Sequence, residues 1–211
     1  MVRQERAEAT REAVLEGAAS VFARLGYANA SLSEIITESH VTKGALYFHF
    51  GSKEELARAV IDAGCAHIAR KSAQWMDSRT PALEAIIGIS CIAVETAAFD
   101  LPWHATLRLL AEIGDYRGSD GPVFDEWNKM FESLVESAAE DEDLRPEIAT
   151  DQLARLLLAV LGGVRLVAAA TDSRERVASD MNAAWSLMLP VLVPDSKVDY
   201  FRQFAARRLR V

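Results

Sequence analysis

The residues with the most recognition chemistry in this chain of 211 lie between Ser31 and Lys53, in the run SLSEIITESHVTKGALYFHFGSK. Lys43 and Lys53 supply cations, His49 an imidazole, Tyr47 a phenol, and Ser31 and Thr42 hydroxyls. Gly44 and Ala45 are small enough to let a backbone approach a groove, and Phe48 sets a ring beside them. That set suits phosphates and base edges rather than bond-making chemistry. The spacing says how it is held. Ser31 with Glu34 three residues on is a capping-box pattern, and Leu32, Ile35 and Ile36 give the helix that follows one apolar face. Thr42 is a good N-cap for a second short helix anchored by Leu46, and Ser52 with Glu55 repeats the capping pattern. Helices this short are not stable alone, so a rigid platform must hold them. The reading is a helix-turn-helix that offers Lys43–His49 to duplex DNA.

The elements around that unit are read as helices throughout. A first helix spans Arg3–Leu25, with Val14, Ala18, Val21, Phe22 and Leu25 as its buried stripe. The recognition pair follows at Leu32–Ser39 and Lys43–His49, then a longer helix from Lys53 to about Met76. Thr80-Pro81 and Pro102 open the next two helices, which end near Phe99 and Gly114. Tyr116–Pro122 reads as the most flexible loop. Further helices are expected at Val123–Ala139, from Pro146 to Ala170, from a Ser173 cap to Leu189, and over Asp195–Arg210. No segment alternates as a strand would. The fold class is therefore all-α. A three-helix DNA-binding domain is expected over residues 1–52 and a helical ligand-binding and dimerisation domain over residues 53–211.

Charge fits a localised reader. The net charge is −8 and the pI near 5.1, which argues against a general nucleic-acid coat. Within residues 1–53, Arg3, Arg6, Arg11, Arg24, Lys43 and Lys53 balance Glu5, Glu8, Glu12, Glu16, Glu34 and Glu38, so the acidic excess belongs to the remainder. An acidic body repels DNA everywhere except through the head. Cys65 and Cys91 fall in apolar helical context and in no C-x-x-C pattern, which reads as reduced thiols. No signal-peptide pattern precedes the first helix. The apolar run Leu156–Val164, bounded by Arg155 and Arg165, is too short to span a bilayer. A cytoplasmic chain with no membrane partner is expected.

Two helices of the body stand apart. Leu156, Leu157, Leu158, Val160, Leu161, Val164, Leu166 and Val167 cover most of one helix surface, so it must be covered on all sides. Gly162 and Gly163 in its middle cost helix stability and suggest close approach by another backbone. The next helix adds Val177, Met181, Ala184, Trp185, Met188 and Leu189. Pairing both with a second copy would give a four-helix interface that includes Gly162, Gly163, Trp185 and Met188; an ordinary monomer core is the alternative.

Catalytic chemistry finds little support. His67 and His104 have no second histidine or carboxylate at metal-ligand spacing, Ser90-Cys91 lacks a glycine elbow, and Gly114–Gly121 is no phosphate cradle. No metal, no cofactor and no enzyme activity are expected. A helical enzyme or interaction domain with a coincidental motif remains the reading from a different class.

The run Val41–Leu56, V-T-K-G-A-L-Y-F-H-F-x-S-K-E-x-L, resembles the DNA-binding signature of the tetracycline-repressor (TetR) family, as does the approach Phe22-Ala23-Arg24-Leu25-Gly26-Tyr27. One departure is Ser39-His40-Val41, where the family usually has glycine before the valine, so His40 must adopt a turn conformation normally given to glycine. The resemblance implies homodimers through the two apolar helices, and hence a pseudopalindromic double-stranded operator. Phe124, Trp127, Phe131 and Leu134 recur at core spacing, and periodicity alone favours plain packing. The likeness of Phe124-Asp125-Glu126-Trp127 to the γ-butyrolactone autoregulator receptors, a branch of the family, reverses this for Trp127, since there the tryptophan covers the signalling lactone. It implies a pocket for a small hydrophobic ligand under Trp127, walled by Leu107, Leu110, Phe131, Val160 and Val164, with Thr106, Ser90 and Thr96 as candidate polar anchors. A ligand-released repressor is the resulting expectation, with a sensor of another hydrophobic compound controlling efflux or catabolic genes as the alternative.

Overall fold

The computed structural model describes residues 2–77, 79–114 and 123–209, with Val2, Arg3, Ala98 and Phe99 described by backbone alone. The loop expected at Tyr116–Pro122 and the last helical residue expected, Arg210, lie outside these. Among the described residues there are ten α-helices, one 3-10 turn and no strand: α1 Val2–Asn29, α2 Leu32–Glu38, α3 Lys43–His49, α4 Lys53–Ser72, α5 Ala82–Phe99, α6 Leu101–Ile113, α7 Val123–Glu140, α8 Thr150–Ala170, α9 Val177–Leu192 and α10 Asp195–Arg208, with the turn at Arg174–Arg176. The all-α expectation holds.

The chain forms two compact units. One contains residues up to Ala69 together with Asp100–Pro122, and the other Arg70–Phe99 with Val123–Val211. Most of α4 and all of α6 therefore share a unit with the recognition pair, which residues 1–52 alone do not capture. In this first unit α1 lies along α6, an extensive pairing. Val14, Ala18, Val21, Phe22, Ile35, Leu46, Leu56 and Leu109 are sealed from solvent. Two crossings need the absence of a side chain. A Cβ on Gly17 would meet the Ser39 backbone at 2.8 Å, and one on Gly64 would meet Thr106 Oγ1 at 1.9 Å.

The second unit is built around α5, which packs against α7, α8, α9 and α10. Leu83, Ile86, Ile87, Phe131, Val135, Leu157, Met181, Trp185 and Leu189 form its core. The buried Ser90 hydroxyl donates to Ile87 O and accepts the Trp185 indole N–H at 2.9 Å. Arg165 reaches from α8 to α5, where it donates to Ala93 O and to Thr96 Oγ1.

Several boundaries depart from the sequence reading. The first helix runs past Leu25 to Asn29, broken at Gly26 with φ 75° and ψ 179°. α4 ends at Ser72 rather than near Met76. α8 opens at Thr150, not at Pro146. The chain before it is tied elsewhere: Arg145 N–H donates to Leu192 O at 2.8 Å, and Lys197 Nζ holds Asp141 O, Glu142 O and Asp143 Oδ1. Ser173 caps no helix, because its hydroxyl pairs with Thr171 Oγ1 and a 3-10 turn intervenes. α9 continues through Pro190 to Leu192. Proline cannot donate to the carbonyl four residues back; Arg202 Nη2 donates to that carbonyl, Ser186 O, at 3.4 Å instead. α8 as a whole is long and apolar enough to cross a membrane by length and composition, with a mean hydropathy of 1.9 over its best window, of which 28% is buried. The uninterrupted run between Arg155 and Arg165 understated this, because two arginines do not cancel the apolar residues around them in a longer window.

Candidate nucleic-acid interface and ligand site

Local sequence fixes the recognition pair. Ser31 caps α2 with a complete capping box: its hydroxyl accepts Glu34 N–H at 3.2 Å, and the Glu34 carboxylate accepts Ser31 N–H at 2.9 Å. The same hydroxyl donates to Glu34 Oε2 at 2.8 Å, so a phosphate must compete for it. These donors hold the Glu34 carboxyl below its ordinary value. Thr42 Oγ1 accepts Ala45 N–H at 3.2 Å as the α3 N-cap, leaving its O–H directed by whatever lies outside. His40 takes the left-handed turn conformation, φ 54°, as the missing glycine requires.

α3 is anchored by Leu46 alone among its buried residues. The opposite face is open. Thr42, Lys43, Gly44, Tyr47 and Phe48 are exposed, Phe48 to 79%, while Ala45 and His49 are half-buried. A Cβ on Gly44 would meet nothing within 4 Å, so the glycine serves no contact inside the unit. Phe48 stands edge-on to His49 at 5.0 Å, and Lys43 Nζ lies 5.9 Å from the Tyr47 ring. Three polar types and a ring thus share one solvent-facing strip with no fold-internal reason for their exposure.

Lys53 differs from its expected posture. Its ammonium donates to Tyr27 O at 2.8 Å and to Ala30 O at 2.9 Å, and sits 4.5 Å above the Tyr27 ring. Two of its three protons are engaged within the unit. Charge-counting along the chain could not reveal this, because both carbonyls belong to α1 and the α1–α2 junction. α4 opens with half of the expected capping box: Ser52 Oγ accepts Glu55 N–H, while the Glu55 carboxylate takes Gly51 N–H rather than that of Ser52.

The expected ligand wall is divided between the two units. Leu107 is half-buried and Leu110 buried on α6, in the first. In the second, Phe131 is buried in the core with Val164 packed against it, and Val160 is half-buried. Trp127 is half-buried and stands edge-on to Phe124 at 5.3 Å. Two concave regions of the second unit, about 360 and 390 Å³, involve other residues: Gln74, Trp75, Arg79, Thr80, Pro81, Glu84 and Arg208 line the first, and Phe204, Arg207 and Arg208 the second. The three candidate anchors already have protein partners. Thr106 donates to Pro102 O, Ser90 to Ile87 O and Thr96 to Ile92 O.

Of the expected interface residues, Trp185 is a correction. It is 1% exposed in the single chain and hydrogen-bonded to Ser90, so it can supply no area to a partner. Gly162 is exposed and Gly163 and Met188 are half-buried. Nothing lies within 4 Å of a Cβ built on either glycine, so neither is required by this chain's own packing. Leu156, Leu166 and Val167 on α8 and Leu187 and Val191 on α9 are exposed, although large and apolar.

His67 gains a carboxylate that spacing hid. Its Nε2 lies 2.7 Å from Asp100 Oδ2, and Asp100 Oδ1 caps α6 through Trp103 N–H. Cys91 is buried, and burial with a nearby Glu95 pushes its thiol up to about 11, which makes it unreactive.

Known proteins carry the same arrangement. The A-factor receptor protein of Streptomyces griseus is 29% identical over 96% of this chain and 74% of its own length. A solved γ-butyrolactone receptor, an ArpA-like protein, superposes with a TM-score of 0.85 at 29% identity, covering 97% of this chain and 98% of that one. CprB of Streptomyces coelicolor, solved in complex with its biological operator sequence, superposes with a TM-score of 0.81 at 30% identity over 96% and 97% of the two chains. Residues 14–60 match bacterial regulatory proteins of the tetR family, and residues 80–194 match the tetracyclin repressor-like C-terminal domain. With its open α3 face, its all-helical body and a match that takes in more than half of its residues, this chain belongs to the TetR family of transcriptional regulators.

Proposed function

We propose that this regulator is a homodimeric repressor that binds a pseudopalindromic operator and is released by a small hydrophobic signal of the γ-butyrolactone class. One observation carries the reading: the likeness to γ-butyrolactone receptors extends through the body as well as the head. Heads are shared across the family, whereas bodies follow the ligand. In this reading each α3 enters a major groove. Gly44 and Ala45 allow close approach, Tyr47, Phe48 and His49 meet base edges or backbone, and Lys43, Thr42 and Ser31 serve phosphates. Lys53 contributes its remaining proton at most.

The dimer forms through α8 and α9. Their exposed Leu156, Leu166, Val167, Leu187 and Val191, with Met188 and the Gly162-Gly163 step, supply an apolar face of the kind that marks an interface. The same face accounts for the hydropathy of α8 without a membrane, and a cytoplasmic location follows. The ligand lies under Trp127, with Phe131, Val160 and Val164 of the same unit as its apolar wall. No step of catalysis is involved.

The test selects bound duplexes from a random pool, measures affinity by fluorescence anisotropy, and titrates γ-butyrolactones bearing alkyl side chains into the complex. Recovery of a two-fold-symmetric site and its release by micromolar lactone are expected. Operator binding that lactones leave untouched would favour a sensor of another hydrophobic compound; failure to select any site would remove the repressor reading.

A further inference from the structure

α1 does not end at its break; it is interrupted at Gly26 and resumes for one turn before Ser31 starts α2. An interrupted helix leaves carbonyls on one side of the break and N–H groups on the other without intrahelical partners. Two side chains one turn apart on α6 meet both sets. Arg108 Nη1 donates to Ala23 O at 3.0 Å and to Arg24 O at 2.9 Å, on the carbonyl side. Glu112 Oε2 accepts Tyr27 N–H at 2.6 Å and Ala28 N–H at 3.5 Å, on the amide side. The two are joined by Arg108 Nε to Glu112 Oε1 at 2.9 Å. Each charge sits where the helix dipole favours it, the cation at a C-terminal end and the carboxylate at an N-terminal one. From α4, Lys53 holds Tyr27 O and Ala30 O. The junction that leads into the recognition pair is therefore gripped from α6 through its amides and from α4 through its carbonyls. Gly26 is required by its positive φ, and a Cβ there would displace the Glu112 carboxylate from the amides it accepts.

We propose that Arg108 and Glu112, with Lys53, are positioning residues that fix the angle at which the reading head, α1 to α3, is held on α6 and α4. This rests on the reading of the chain as an operator-binding dimer. None of the three needs to touch a base. A two-headed reader gains from its second head only while the distance between heads matches the distance between half-sites, roughly one helical turn of DNA. A head free to tilt on α6 keeps its own contacts and loses that match, which lowers the effective concentration of the second binding event.

The experiment uses the full-length chain and Glu112→Ala, with three duplexes: the selected operator, one half-site alone, and operators with the half-site spacing changed by one base pair in either direction. Hydrogen bonds to charged groups are each worth enough to expect a loss of about tenfold on the intact operator. Half-site affinity should stay at the parent value, and the penalty for altered spacing should shrink. Equal losses on half-site and full operator would overturn the proposal and make Glu112 a plain structural residue, as would an unchanged spacing profile. The double variant Arg108→Glu with Glu112→Arg keeps an ion pair on α6 but sets a carboxylate against the carbonyls of Ala23 and Arg24. It should behave like Glu112→Ala, and recovery to parent behaviour would overturn the role of the backbone groups. Hydrogen exchange needs no DNA: the Tyr27 and Ala28 amides should exchange about tenfold faster in Glu112→Ala, and equal rates would sink the idea even if the parent protein binds no operator.

Discussion

Replacing Lys53 with methionine separates two roles that the sequence alone runs together. Methionine keeps the aliphatic stem over Tyr27 and removes the ammonium. In the structure that ammonium makes two hydrogen bonds to carbonyls, at 2.8 and 2.9 Å, and lies 4.5 Å from an aromatic ring. Charged hydrogen bonds contribute about 1.5–3 kcal/mol each, and a cation over a ring about 0.5–1 kcal/mol. Lys53 is half-buried, so the low end applies, and water replaces part of what is lost. A net loss of about 2–3 kcal/mol follows, which lowers Tm by about 5–10 °C for a chain of this size. A phosphate contact behaves otherwise. Each one lost shallows the log–log salt dependence of binding by about 0.9 and leaves thermal stability nearly unchanged. Calorimetry of Lys53→Met, paired with anisotropy titrations between 50 and 300 mM salt, about the range where such slopes are read, distinguishes the cases. The expected result is a lower Tm with the salt slope of the parent. An unchanged Tm with a slope shallower by about 0.9 per head would refute the strut and return Lys53 to the phosphate backbone.

Trp127→Ala should leave operator affinity at the parent level and abolish release by ligand, as read in the same anisotropy assay; a parent-like response would place the pocket elsewhere. Trp185→Phe removes the indole donor to buried Ser90 and should cost about 1–3 kcal/mol in denaturant unfolding, while Leu187→Glu on the exposed α9 face should yield monomers by sedimentation with little change in unfolding free energy. Were the Trp185 variant monomeric instead, its burial inside one subunit would have been misjudged. Burial pushes the Glu112 carboxyl up, but the hydrogen bonds from Arg108 and the Tyr27 and Ala28 amides outweigh it, and Glu34 is held down by the Ser31 hydroxyl and N–H, so both lie below the ordinary value of 4.5. A depressed carboxylate stabilises the fold above its unfolded pKa and loses that stabilisation as pH falls through the folded one. Unfolding midpoints should therefore be level from about pH 7 to about pH 5 and drop below that, with a smaller drop in Glu112→Gln; identical profiles would exclude the contribution.

The recognition pair was legible because its determinants are local. A capping box, an N-cap threonine and one inward leucine sit within a few residues of the backbone they organise, so Ser31, Thr42 and Leu46 announce α2 and α3 in order. His40 was legible for the same reason, since a turn's φ is a property of one residue. The apolar character of α8 and α9 was equally plain from composition.

Tertiary structure decided which of those apolar residues face inward. Trp185 and Leu187 lie two positions apart on α9, yet one is sealed against Ser90 and the other is exposed, and periodicity cannot say which side of a helix a neighbour will occupy. It also decided the partners of isolated charges. Lys53 looked like a DNA contact and His67 like a lone imidazole, and nothing in the local spacing marked Arg108 or Glu112. Their partners, Tyr27 O and Ala30 O, Ala23 O and Arg24 O, the Tyr27 and Ala28 amides, and Asp100, lie from 23 to 85 residues away in the chain. Sequence by itself determined where helices start and which faces are apolar, because those follow from bonds within one turn. The break at Gly26 and the charges that hold it depend on α6 lying along α1, and a long-range packing of that kind leaves no mark in local spacing.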